Sequence, residues 1–114
     1  MRHGKLNKRI VILRYEDEED VLGGTEVIPK EFLKCWAAIE PLRGREYYEA
    51  QRLKDADNFK VTIRYRRNIT ADMLIRYGNQ TFQIQTVTDP YEAHEELELY
   101  CILKKRGKGV TTNV

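Results

Sequence analysis

The chain of 114 residues contains no serine, two cysteines, two histidines and three prolines. The missing serine removes every serine-nucleophile mechanism, and His3 and His94, the only imidazoles, both lie in polar segments. A nucleophile–base pair is therefore poorly supplied, and an enzyme is not expected. Cys35 and Cys101 stand far apart, each inside an alternating apolar run, and read as small buried hydrophobes rather than a disulfide framework or zinc site. No apolar run approaches the roughly 18 residues of a membrane span. The opening Met1-Arg2-His3-Gly4-Lys5 leads into no secretion-type segment, so the expectation is a protein made and kept in the cytoplasm, away from membranes. Gly23-Gly24 and Gly107-Lys108-Gly109 lack phosphate-loop spacing, the acidic run Glu16–Asp20 lacks that of a calcium loop, and no cofactor or metal is expected.

What is present is charge of both signs. Twenty basic and 18 acidic residues leave a net charge of +2, too little for a general electrostatic binder of nucleic acid. With 41% hydrophobic residues the composition is globular, and the length suits one domain.

Along the chain the dominant period is two. Leu6–Tyr15 carries the β-branched run Ile10-Val11-Ile12-Leu13. Glu16–Asp20 with Gly23-Gly24 reads as a solvated loop. In Phe32–Leu42, Leu33, Cys35, Ala37 and Ile39 share one face and Lys34, Trp36, Ala38 and Glu40 the other, until Pro41. Arg43–Lys54 has helical spacing through Glu46, Ala50 and Leu53. The cleanest alternation follows, with Phe59, Val61, Ile63 and Tyr65 inward and Lys60, Thr62, Arg64 and Arg66 outward. Met73–Tyr77 and Thr81–Thr88 flank Gly78-Asn79, a two-residue hairpin signal, and Glu95–Lys105 is the last strand. The expected fold is mainly β: a small antiparallel barrel or sandwich of about six strands, with one short helix after the second. One domain is expected over residues 1–105, with 106–114 a flexible tail.

Two surfaces invite a function. Arg64, Arg66, Arg67 and Arg76 form the best nucleic-acid signal, because small barrels hold single strands with cationic grooves and stacking aromatics. The alternation turns Tyr65 toward the core, however, and a solvated face paired with Glu96 and Glu98 is the simpler reading. Trp36, the single tryptophan, and Tyr47 are candidate anchors at a subunit contact.

Gly4-Lys5-Leu6 with Arg9-Ile10, Cys35-Trp36-Ala37-Ala38 ending in Pro41-Leu42, Gly44-Arg45-Glu46-Tyr47, Thr62-Ile63-Arg64-Tyr65-Arg66, Met73-Leu74-Ile75, Phe82-Gln83-Ile84 and Glu98-Leu99-Tyr100-Cys101 occur in order. In that order the chain resembles the head–tail adaptor family of long-tailed bacteriophages, also called head-completion or stopper proteins. The resemblance implies a structural virion protein without catalysis. It implies a ring of about twelve copies, closed by heterologous contacts, below the portal. The ring would close the DNA exit channel after packaging, lie near packaged DNA, and offer the surface on which a tail-terminator or tail-completion protein docks. Portal and adaptor proteins of the connector would be further partners.

In this chain the excursion that would face the channel carries Arg43, Arg45, Glu46, Tyr48, Glu49, Arg52, Lys54, Asp55 and Asp57. Its mixed charge would avoid holding DNA during ejection. The acidic Glu16, Asp17, Glu18, Glu19 and Asp20, with Trp36 and Tyr47, are the expected interface residues. The acidic run would face basic Arg43, Arg45, Arg52 and Lys54 of a neighbour. The runner-up function is a small barrel that binds single-stranded nucleic acid.

Overall fold

The computed structural model describes residues 6–42 and 58–106. Six strands carry the fold: β1 (Lys8–Glu19), β2 (Thr25–Pro41), β3 (Asn58–Arg64), β4 (Leu74–Tyr77), β5 (Gln80–Thr88) and β6 (Glu96–Arg106). They close into an antiparallel barrel in the order β1-β2-β3-β6-β5-β4. This settles barrel over sandwich. The last rung is short: Val11, Ile12 and Leu13 of β1 face Arg76, Ile75 and Leu74 of β4. A single 3-10 turn, Pro90–Glu92, precedes β6. The helix expected over Arg43–Lys54 lies outside the described residues, as does the tail beyond Arg106, which itself ends β6.

The period-two pattern fills the barrel. Ile10, Ile12, Ala37, Val61, Ile63, Ile75, Phe82, Ile84, Leu97, Leu99 and Cys101 point inward, and Ile69 and Met73 from the β3–β4 connection join them. Phe59 meets the Phe82 ring edge to face at 5.2 Å. Gly78, at a φ of +63°, supplies the left-handed residue of the β4–β5 hairpin, with Tyr77 opposite Gln80.

Two expectations need correction. Thr62 points to the outer wall as expected, yet it is fully buried, a short side chain between Ala38 of β2 and Glu98 of β6. The acidic run is not a loop. Glu16–Glu19 continues β1, and its register with β2 runs unbroken from Leu13↔Glu31 to Glu19↔Thr25. Charge repels along a strand, but alternation places Tyr15, Val27 and Ile28 among the charges, and every second rung of the antiparallel ladder adds backbone bonds. Beyond Leu13, β1 pairs with β2 alone, so the two strands form an arm. At roughly 3.3 Å per residue the arm carries its tip about 20 Å past the barrel.

Asp20 shapes that tip. Its carboxylate Oδ1 accepts bonds from the N–H groups of Leu22 (2.9 Å) and Gly24 (2.8 Å), and its own N–H donates to the Gly24 carbonyl at 2.8 Å. Gly23 turns the chain at a φ of +91°.

Candidate functional site

The barrel wall opens next to β2. Strand β3 pairs with β2 only from Ala37 to Pro41, while β2 continues back through Phe32 with β1 as its one neighbour. The chain after Arg64 leaves the sheet there, held by the Tyr65 N–H on the Glu95 carbonyl at 3.0 Å. Two adjoining grooves result. One, of about 490 Å³, is lined by Leu6, Arg9, Lys34, Cys35, Trp36, Arg64 and Arg66. The other, of about 580 Å³, is lined by Phe32, Leu33, Arg64, Tyr65, Arg66, Arg67 and Asn68. Among the described residues, five cations and no carboxylate line them.

Aromatic side chains hold part of this charge in place. The Arg9 guanidinium lies over the Trp36 ring at 5.1 Å, and Arg14 over Phe32 at 4.4 Å. Trp36 is half exposed, so its ring forms part of the groove wall. Burial raises the Cys35 thiol pKa, while the nearby charges of Arg66 and Arg9 pull against that rise.

Of the four arginines expected on a basic face, Arg64, Arg66 and Arg67 come together in the grooves. Arg76 lies farther round the outer wall, with Val11 in register between it and Lys34. Glu96 stands opposite Arg64, but Lys60, not an arginine, reaches Glu98 (3.9 Å) and Glu40 (3.6 Å). Among the described residues no ion pair neutralises Arg64, Arg66 or Arg67. Sequence reasoning missed Arg9 and Lys34, whose places depend on the β1–β2 register; Arg9↔Trp36 is the pairing that brings them in.

The interface candidates Glu16, Asp17, Glu18, Glu19 and Asp20 all sit on the arm. Arg14 pairs with Glu16 at 2.9 Å and Lys30 with Glu18 at 3.4 Å. Asp17, Glu19 and Glu26 take no cation among the described residues, and Glu18 faces Glu26 directly. At the tip Val21 and Leu22 are 97% and 92% exposed. Tyr47, the expected basic counterparts and the excursion residues expected to face the channel, Arg43 to Asp57, lie outside the described residues.

One acid–base pair does form. His94 Nδ1 and Asp89 Oδ2 are 2.6 Å apart, and the imidazole packs on the Tyr65 ring at 4.6 Å. Asp89 also accepts the His94 backbone N–H at 3.0 Å, which makes it a brace for the loop before β6. Among the described residues no group of three His, Cys, Asp or Glu could hold a metal ion.

A closed six-strand barrel with a projecting hairpin is an architecture, and the comparison of sequences gives it a family. The profile of the phage head completion proteins matches residues 1–105. The chain belongs to that family. Solved structures share this head completion protein's fold. Protein SF1141 from Shigella flexneri 2a superposes with a TM-score of 0.73 at 22% identity, covering 90% of this chain and 96% of the other. A chain from the virion of a native gene transfer agent particle superposes with a TM-score of 0.67 at 16% identity, covering 92% of this chain and all of the other. A comparison with curated proteins finds no match. Family membership points to a structural bacteriophage virion protein, one that meets other head and tail proteins.

Proposed function

We propose that this head completion protein joins head to tail. Copies assemble as a ring of about twelve below the portal, close the DNA exit channel after packaging, and present the surface on which the tail docks. The observation that carries this reading is the family match across nearly the whole chain. The gene transfer agent neighbour supports it, because a chain of this fold occurs in the virion of that particle. The arm is in keeping with it, since it offers a surface that projects beyond the subunit's own core. Residues 43–57 remain the proposed channel-facing excursion, and residues 106–114 the proposed flexible tail.

The alternative, a barrel that binds single-stranded nucleic acid, draws on the basic grooves. It requires aromatics free to stack on bases. Tyr65 instead packs on His94 and the core, and Arg9 already covers the Trp36 ring. The joining reading is therefore preferred.

Electron microscopy of lysates from the parent phage, carrying an early stop codon in this reading frame, tests it. Separate tails and tailless heads that have lost DNA are the expected result. Normal joined particles would overturn it.

A further inference from the structure

The two surfaces of the chain are complementary, and they cannot meet within one molecule. The arm tip presents apolar Val21 and Leu22, almost fully exposed, behind Asp17, Glu19 and Glu26, which have no cation among the described residues. The grooves beside β2 present Arg9, Lys34, Arg64, Arg66 and Arg67 around the half-exposed Trp36, with no carboxylate among the described residues of their walls. Gly24 at the tip and Phe32 at the near groove are eight residues apart on one extended strand, roughly 25 Å. For the tip to reach its own groove the hairpin would have to fold back and break its paired register from Arg14↔Lys30 to Glu19↔Thr25.

We infer that the acidic arm of one copy docks in the basic β2 groove of the next, so that arm and groove are the two halves of a heterologous contact. The inference rests on the proposed ring and names the surfaces that would close it. Arm and groove are different patches, so each docked copy leaves one arm and one groove free, and association proceeds head to tail until rotation closes it. Docking would bury Val21 and Leu22 against the part of Trp36 that stays exposed beside Arg9. It would also set carboxylates beside guanidinium groups that already lack partners. On the like-charge rung Glu18↔Glu26, Lys30 reaches Glu18, which leaves Glu26 for a cation of the next copy.

The test is zero-length carbodiimide cross-linking of the full chain at increasing concentration, with the assembled mass followed by sedimentation. The expected result is a ladder extending beyond dimer, with peptides that join Lys34 to Asp17, Glu19 or Glu26. Reversing the groove (Arg64→Glu with Arg66→Glu) or the arm (Asp17→Lys with Glu19→Lys) should each cut the ladder about tenfold or more, because like charges then face each other. Combining both reversals in one chain should restore it. All four side chains are exposed, and an unchanged melting temperature verifies that each variant folds.

Absence of association, a ladder that stops at dimer, or failure of the combined variant to recover would each overturn the inference. So would a groove reversal that abolishes steeply salt-dependent DNA binding while leaving the ladder intact, which would assign the groove to nucleic acid. Rings seen by electron microscopy without these cross-links would overturn the arm contact alone and leave the ring standing.

Discussion

The barrel and the arm share two strands, β1 and β2, and differ in what surrounds those strands. Inside the barrel, β1 has β2 on one side and β4 on the other, and Ile10 and Ile12 are wholly buried. Beyond Leu13 the same strand has β2 alone, and its side chains meet water or one another. The barrel is held by apolar burial with a closed ladder; the arm is held by backbone pairing and two exposed ion pairs worth about 1 kcal/mol or less each. Apolar burial is thereby concentrated in the barrel. The arm can carry charge, exposed leucine and like-charge rungs because the fold does not rest on it.

The largest test of that difference is a cavity in the barrel. Phe82 is 1% exposed and meets Phe59 edge to face, so Phe82→Ala should cost about 3–5 kcal/mol through lost transfer energy and an unfilled space. Urea unfolding would show it as a lower midpoint at unchanged slope. A loss under about 1 kcal/mol would mean that the barrel interior is not where stability resides.

A second, smaller effect comes from the barrel's buried thiol. Burial pushes Cys101 from an ordinary 9.0 up to about 12, and its Sγ donates to the Leu99 carbonyl at 3.4 Å. Between those values the unfolded chain gives up the thiol proton while the folded chain keeps it. The stability from this group is therefore whole below pH 9 and falls as pH rises through that window, by at most about 1.4 kcal/mol per pH unit. Denaturant midpoints of the native protein and Cys101→Ala from pH 8 to pH 10.5 should converge as pH rises. Parallel curves would contradict a buried, protonated thiol.

The barrel was legible in the sequence because period two is a local signal: the alternation of Phe59, Val61, Ile63 and Tyr65 places those side chains inward, where the structure has them. The Gly78-Asn79 turn was legible for the same reason, since a left-handed residue is a local requirement. The arm was not. Five consecutive acids read as a solvated loop, and what extends them is the partner strand, with Val27 and Ile28 standing across from Asp17 and Glu16. Half of the basic groove was legible in Arg64-Tyr65-Arg66-Arg67. The other half was not, because Arg9 and Lys34 join it only through strand register and the departure of β3 from β2 at Ala37. Closure of the barrel is likewise a long-range fact, resting on three rungs between β1 and β4.

The smallest expected effect tests the arm from the side of stability. Val21 and Leu22 lie at a turn with almost no contact to lose, and Asp20, not either apolar residue, supplies the bonds that shape it. Val21→Asn with Leu22→Asn should therefore move the unfolding free energy by no more than about 0.5 kcal/mol, as for surface positions away from caps and cores. Amide exchange sharpens the point: arm amides, with one paired edge and no apolar cover, should exchange well before those of Ile63 or Leu99 in both proteins, because local opening there exposes little that is buried. If the double variant instead unfolds early, or if its barrel amides exchange faster, then the arm tip supports the fold, and the division between a stable barrel and a free contact element fails.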